Sequence, residues 1–299
     1  MWETALAFAI WGSYGSVLTA AHIDPALTAI ARSAALGATL TAASVAIARL
    51  RGPREITAAI PWRSGALWLS GSVLLVDEVL YSISAVSGPV AIIGLAYGCV
   101  PILAPILSRL AGTDGAGSMR LRHWACLALA FAGNVMVFSE LQAARIQFTT
   151  AAVFAFLAGL LFTVMPVCSA KLQQAGLGTW AVLKSQGAVA AVLAVPLLAL
   201  LITLGMVTLG GPGHGAVVAR SLEMGAVNAV VFTVTPFYFW YRGIARCGVA
   251  RTSICAFAEP LVATLFSLFV LKDAPLTPLL VAGASLVLCG IAVSARSSD

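Results

Sequence analysis

Charge is what this chain has least of. Only 9% of its 299 residues are Asp, Glu, Lys or Arg, and 61% are hydrophobic. A soluble domain carries about 25% charged residues, so this chain could not cover a water-facing surface. Alternation of apolar and polar residues is missing too, which excludes a transmembrane barrel. What remains is a set of apolar runs of about 20 residues, the length of a membrane-spanning helix, whose backbone groups pair internally in lipid. Histidine occurs only 3 times, without metal-ligand spacing. The 6 cysteines fall in apolar stretches with no C-x-x-C pattern and read as small buried hydrophobes. HExxH, GxSxG and Walker patterns are absent, so no enzyme, metal or cofactor is implied. Without an ATPase domain, primary active pumping by this chain alone is excluded. The segment MWETALAFAIWG lacks the basic start of a cleavable signal, so the first span is expected to stay in place.

The hydropathy pattern predicts ten spans, at 3–21, 26–48, 64–86, 90–110, 122–140, 150–171, 179–205, 221–243, 251–271 and 277–295. The net charge of +6 lies mostly in short loops, where a membrane surface explains it better than nucleic acid. With the N-terminus inside, the inner loops and span ends hold Arg49, Arg51, Arg54, Arg63, Arg109, Arg120, Arg122, Lys171, Arg242, Arg246, Arg251 and Arg296. The outer ones hold only Arg145, Arg220 and Lys272. This asymmetry places both termini in the cytoplasm of a bacterial-type inner (plasma) membrane. Trp62, Trp124 and Trp180 stand at the inner ends of spans 3, 5 and 7 and read as interface anchors.

Residues 90–114 fall on residues 249–273 with Pro101 on Pro260, Ala104 on Ala263, Ser108 on Ser267 and Asp114 on Asp273. Five spans separate the two copies, and an odd number inverts one relative to the other. Inverted halves are a common secondary-transporter architecture, with the site between them near the midplane. The expected fold is therefore an all-α membrane protein of ten transmembrane helices in two inverted five-helix repeats, 1–145 and 146–299, forming one integral membrane unit.

The stretch WYRGIARCGVARTSICAFAEPLVATLFSLFVLKD (240–273) resembles the ninth-span region of the EamA-type drug/metabolite transporter superfamily: an aromatic pair, a basic turn, a small-residue helix, Glu-Pro, an apolar run, then an acid. AIWGSYGS (9–16) resembles that family's first-span Trp-Gly. Arg242 stands where the family usually has an aromatic, and Asp273 where Glu is commoner. Length, short outer loops and Trp/Tyr content resemble the aromatic amino acid exporter branch, the YddG type. The resemblance implies a cavity built from spans 1, 3, 4, 6, 8 and 9, and a monomeric secondary transporter or facilitator that exports aromatic amino acids and related amphipathic metabolites by alternating access. An exporter of multiple drugs or organic cations, or a membrane scaffold without transport, are the alternatives. Its partners would be that small-molecule substrate and the lipid bilayer.

All five tyrosines lie inside spans, and a buried phenol seeks a partner. Trp11, Tyr14, Tyr81, Tyr97, Phe162, Phe237, Tyr238 and Tyr241 are the candidate ring contacts. VDEVLYS (76–82) carries two intramembrane carboxylates, functional candidates by default. Glu78 is expected to line the path and meet an ammonium, with Asp77 paired to a cation such as Arg32. Arg32 itself, near the outer end of span 2, and Lys184 at the inner end of span 7 also read as snorkelling to the interface. Asp77, Glu78 and Glu259 are the groups a coupling proton could use. Glu259 either binds an ammonium or proton or braces span 9. Pro101, Pro236 and Pro260 mark kinks or gates, because each removes a backbone donor.

In TPFYFWYRG (235–243) five aromatics follow one another and point all around the helix at 100° steps. Phe237 and Tyr241 can share the cavity face, Tyr238 can flank them, Phe239 looks elsewhere, and Trp240 is expected near the inner interface.

Overall fold

In lipid every backbone N–H and C=O must be satisfied within the segment, and the described residues meet that demand chiefly with helix. The structure, a computed structural model, describes residues 1–51, 59–88, 97–113, 121–141, 150–210, 214–271 and 276–296. Among the described residues 87% are helical and none is in a strand. Of the predicted repeat and the loop arginines and lysines, residues 90–96, Asp114, Asp273, Arg54, Arg120, Arg145 and Lys272 lie outside the described residues.

The helices are α1 (Trp2–Ala20), α2 (Pro25–Arg51), α3 (Gly65–Ser87), α4 (Val100–Leu110), α5 (Leu121–Leu141), α6 (Thr150–Phe162), α7 (Val164–Gln174), α8 (Thr179–Thr203), α9 (His214–Asn228), α10 (Thr235–Cys247), α11 (Val249–Ser253), α12 (Ala258–Phe266) and α13 (Pro278–Arg296). Six described stretches are long and apolar enough to cross a membrane: 25–46, 65–87, 150–174, 179–203, 214–247 and 249–270. α6 runs almost directly into α7, and α9 reaches α10 through a π-helical segment, Ala229–Val234. A 3₁₀ turn, Ile254–Phe257, joins α11 to α12.

Local sequence explains the joints. Asp24 caps α2, its Oδ1 accepting from Leu27 N–H at 2.8 Å, and Pro25 takes the first helical position, where a missing N–H does no harm. Gly248, at φ 80°, ends α10 in a conformation that a side chain would oppose and turns the chain into α11. The 34-residue stretch His214–Cys247 begins before the predicted span at 221, because its first turns carry His214 and Arg220 and read as polar. Pro101 and Pro260 each fall in the first turn of a helix, α4 and α12, which proline tolerates.

Helices in lipid gain little from burying apolar surface against one another, so close packing must hold them, and small residues sit at the crossings. α1 crosses α12 at Gly12, where a Cβ would run into the Glu259 carbonyl and stand 2.7 Å from Val262 Cβ. α9 crosses α2 at Gly225, where a Cβ would stand 2.5 Å from Ala31 Cβ and 2.8 Å from Arg32 N. α5 and α13 approach through Gly133 and Gly283, each facing the other's carbonyl oxygen. Gly133→Ile is expected to destabilise the protein by roughly 1–3 kcal/mol, as overpacking does in other cores. Thermal unfolding in detergent checks this; an unchanged midpoint would mean that α5 and α13 do not meet closely.

Candidate functional site

Five helices, α1, α3, α6, α10 and α12, converge with Tyr97 on one small pocket, lined by Trp11, Tyr14, Asp77, Glu78, Tyr81, Tyr97, Phe162, Phe237 and Glu259. These residues belong to predicted spans 1, 3, 4, 6, 8 and 9. The space that a water centre can occupy within it is about 20 Å³, enough for one water. Tyr14 stacks on Tyr81, centroids 5.2 Å apart and planes at 15°, and Tyr81 meets Tyr97 edge-on at 5.4 Å. Tyr97 continues to Phe162 at 5.3 Å.

The acidic side of the pocket comes from two neighbouring positions of α3. One residue along a helix is a turn of 100°, so adjacent carboxylates take different partners. Asp77 accepts from Tyr97 Oη at 2.6 Å. Glu78 forms an ion pair with Arg32 Nη1, and Tyr14 Oη lies 3.5 Å from the same carboxylate oxygen. This corrects the expected pairing: Arg32 goes to Glu78, and Asp77 takes a phenol. It also corrects the position of Arg32, which is 1% exposed and not snorkelling.

The cause lies in the second half of the chain. Pro236 has no N–H to give the Phe232 carbonyl four residues before it. That carbonyl instead accepts from Trp11 Nε1 at 2.7 Å and Arg32 Nη2 at 3.1 Å. Arg32 Nε donates to Thr233 Oγ1, and the guanidinium lies 4.7 Å from the centre of the Tyr14 ring. Thr233 Oγ1 and Thr235 Oγ1 in turn donate to the Asn228 and Val230 carbonyls across the π turn, both at 3.2 Å. A proline four residues after a carbonyl, with an arginine in an apolar span elsewhere, was the available signal for this contact.

Glu259, in the first turn of α12, faces the pocket without the help of a cation: among the described residues no guanidinium or ammonium lies within ion-pair distance of Asp77 or Glu259. Among the described residues, no group of three or more His, Cys, Asp or Glu side chains is placed to hold a metal ion.

The aromatic run of α10 divides as its periodicity demands. Phe237 lines the pocket, and Trp240, 1% exposed, packs behind it rather than at an interface. Trp240 stacks on Phe162 at 5.0 Å and 9°, and meets Trp11 edge-on at 5.5 Å. Tyr241 is fully buried one turn beyond Phe237, its carbonyl accepting from Gln173 Nε2 at 2.9 Å, and does not reach the pocket. Tyr238 is turned 100° from Phe237, lies half-buried 6.2 Å from Trp180, and is not brought to the pocket either. Both were expected there, and the structure corrects that. Trp180 itself donates to Ser44 Oγ at 2.9 Å, while Trp62 and Trp124 are exposed.

Beyond this aromatic layer lies a second space of about 450 Å³, lined by Thr113, Gln173, Gln174, Thr179, Ile244 and Ala245 among others. Its lining residues Ile244 and Ala245 lie between Arg242 and Arg246 in sequence, which both pair with Glu3. Phe237 and Ile244 are seven residues apart on α10, about 10 Å along the axis. A wide vestibule and a contracted pocket are thus separated by the layer of Phe8, Trp11, Phe162, Trp240 and Tyr241.

Residues 149–296, which carry Phe162, Phe237, Trp240 and Glu259, match the model of the EamA-like transporter family. The chain contains an EamA-like transporter domain. That family consists of membrane transporters of the drug/metabolite superfamily, so the domain implies a multi-pass membrane protein with a small-molecule substrate. The EamA-like domain covers just under half of the chain and supplies part of the pocket's rim. Comparison with curated proteins returns no significant match. One solved crystal structure superposes with a TM-score of 0.74 at 20% identity, over 99% of this chain and 98% of that one. That likeness establishes a shared fold along the whole length.

Proposed function

We propose that the protein is a secondary transporter that exports small aromatic metabolites bearing an ammonium group. Aromatic amino acids are the first candidates. The observation that carries this reading is the pocket itself, where Trp11, Tyr14, Tyr81, Tyr97, Phe162 and Phe237 stand around three carboxyl groups. Rings stack on rings and cations favour ring faces, and Glu78 or Glu259 can take the ammonium. In this reading the two halves, 1–145 and 146–299, are inverted five-helix repeats that rock about the pocket. The limits of the EamA-like domain and the repeat of 90–114 in 249–273 support it. The vestibule then faces the cytoplasm, on the side favoured by the distribution of arginine.

A second reading, organic cations, has its own support. Three carboxyl groups line the pocket, and Arg32, which reaches only Glu78 among them, is already held by Glu78, Thr233 and Phe232. Among the described residues lining the pocket a zwitterion's carboxylate finds no such partner, whereas an amine lacking that group does not need one.

Flux in proteoliposomes tests both. Radiolabelled tryptophan and tryptamine share a ring and differ by one carboxylate. Uptake of both, each inhibited by the other, fits the amino acid reading. Uptake of tryptamine that excess tryptophan leaves within about twofold of control points to cations, since a lost charge pairing discriminates by far more than that. No uptake of either would sink the reading.

A further inference from the structure

Arg32 holds two separate parts of the protein at once. Its Nη1 pairs with Glu78 in α3. Its Nη2 and Nε reach the Phe232 carbonyl and Thr233 Oγ1, both in the π-helical segment 229–234. Trp11 donates to the same Phe232 carbonyl. Two pocket-lining side chains therefore converge on one backbone oxygen, Trp11 directly and Glu78 through the guanidinium. That oxygen is open because Pro236 supplies no N–H.

The aromatic layer stands directly beyond the π segment. α10 begins at Thr235 and carries Phe237, Trp240 and Tyr241. A π turn contains one residue more than an α turn. Converting it to α-helix turns everything beyond it by about 100° about the helix axis. Such a turn would carry Trp240 out of its stack with Phe162 and open the layer between pocket and vestibule.

We infer that Arg32 is a positioning residue that ties occupancy of the Glu78 carboxylate to the π segment, and through it to the aromatic layer. An ammonium arriving at Glu78 competes with the guanidinium for the same carboxylate. Whatever it displaces changes the hold of Arg32 on Phe232 and Thr233, because one rigid planar group makes all three contacts. Arg32 does not line the pocket and acts through these partners and the Tyr14 ring beneath it. The inference rests on the transporter reading for the arrival of an ammonium at Glu78 and for the flux measurements.

Cys247 offers a native reporter. It ends α10, is half-buried, and adjoins Gly248 in the vestibule wall. Its alkylation by a maleimide is read by mass spectrometry of the peptide 247–251. In wild type, tryptamine is expected to change that rate by about threefold or more, and in Arg32→Lys, which keeps the charge but loses the fork, the change should vanish. Flux of tryptamine through Arg32→Lys should fall in kcat on the order of tenfold, with KM within about threefold. Thr233→Val, which removes one contact, should shift both readouts in the same direction by less, and it carries the test if Arg32→Lys does not fold. A ligand-dependent Cys247 rate that survives in both variants, or a raised KM with kcat intact, would overturn the link. If wild type neither binds nor moves tryptamine, the transport reading fails on its own. The link is then decided without ligand: Glu78→Gln and Glu78→Gln with Arg32→Lys should change Cys247 labelling equally, and additive changes overturn it.

Discussion

Glu78→Ala is expected to destabilise the protein by about 3–5 kcal/mol, the usual result of removing one partner from a buried ion pair. The reason is Arg32. Its guanidinium is 1% exposed and packed over Tyr14, and without Glu78 it keeps its charge in the interior with only a carbonyl, a hydroxyl and a ring for company. A double variant separates this effect from function. Replacing both members of a buried pair by apolar residues of similar volume is often neutral or better, so Arg32→Met with Glu78→Leu should recover most of the lost stability. The Phe232 carbonyl keeps its bond from Trp11, which limits the damage there. Flux should not recover, since the pocket has lost a carboxylate. Thermal unfolding in detergent and tryptamine flux in proteoliposomes read the two outcomes. A Glu78→Ala protein as stable as wild type would show that Glu78 and Arg32 are not a buried pair.

Gly12→Val should cripple the pocket from outside it. Gly12 does not line the pocket, yet a Cβ there meets the Glu259 carbonyl, Val262 Cβ at 2.7 Å and Ala263 N at 3.2 Å. Two of these three are backbone atoms, so no rotamer change in α12 makes room. The helices must part, and α12 carries Glu259 away from Trp11 and Tyr14, which flank Gly12 on α1. Overpacking of this kind costs roughly 1–3 kcal/mol in stability. The larger effect is expected on flux, a loss on the order of a hundredfold, because displacements of about 1 Å at a positioning contact cost that much. Gly12→Ala should already show most of it, and adding Val262→Ala should rescue little. Wild-type flux in Gly12→Ala would mean that α1 and α12 do not cross at this residue.

Two neighbouring pairs of residues show where reading the chain stops. Asp77 and Glu78 were legible as intramembrane acids, and Arg32 as a cation for one of them. Which acid it takes depends on the angle at which α2 meets α3, and one residue's step of 100° reverses the answer. Phe237 and Tyr241 share a helical face, as periodicity requires. They part company along the axis: Phe237 meets the pocket, while Tyr241 lies a turn deeper, behind the Trp240–Phe162 stack. Tyr238 needed only its rotation to be placed, and that rotation comes from where α10 touches α1, which no local pattern records.

Composition and hydropathy by themselves determined that this chain lives in a membrane as apolar helices, and nearly where those helices run. A span expected at 64–86 is the helix Gly65–Ser87, and one expected at 179–205 is Thr179–Thr203. The physical reason is that a helix in lipid satisfies its own backbone, so its limits are a local property. The residue types of the pocket, rings with carboxylates, were legible for a similar reason: ionisable groups are costly in lipid and stand out. Only the tertiary structure decided which of them meet. Partnership depends on crossing points such as Gly12 and Gly225, and on a carbonyl that Pro236 leaves open for a donor some two hundred residues away in sequence.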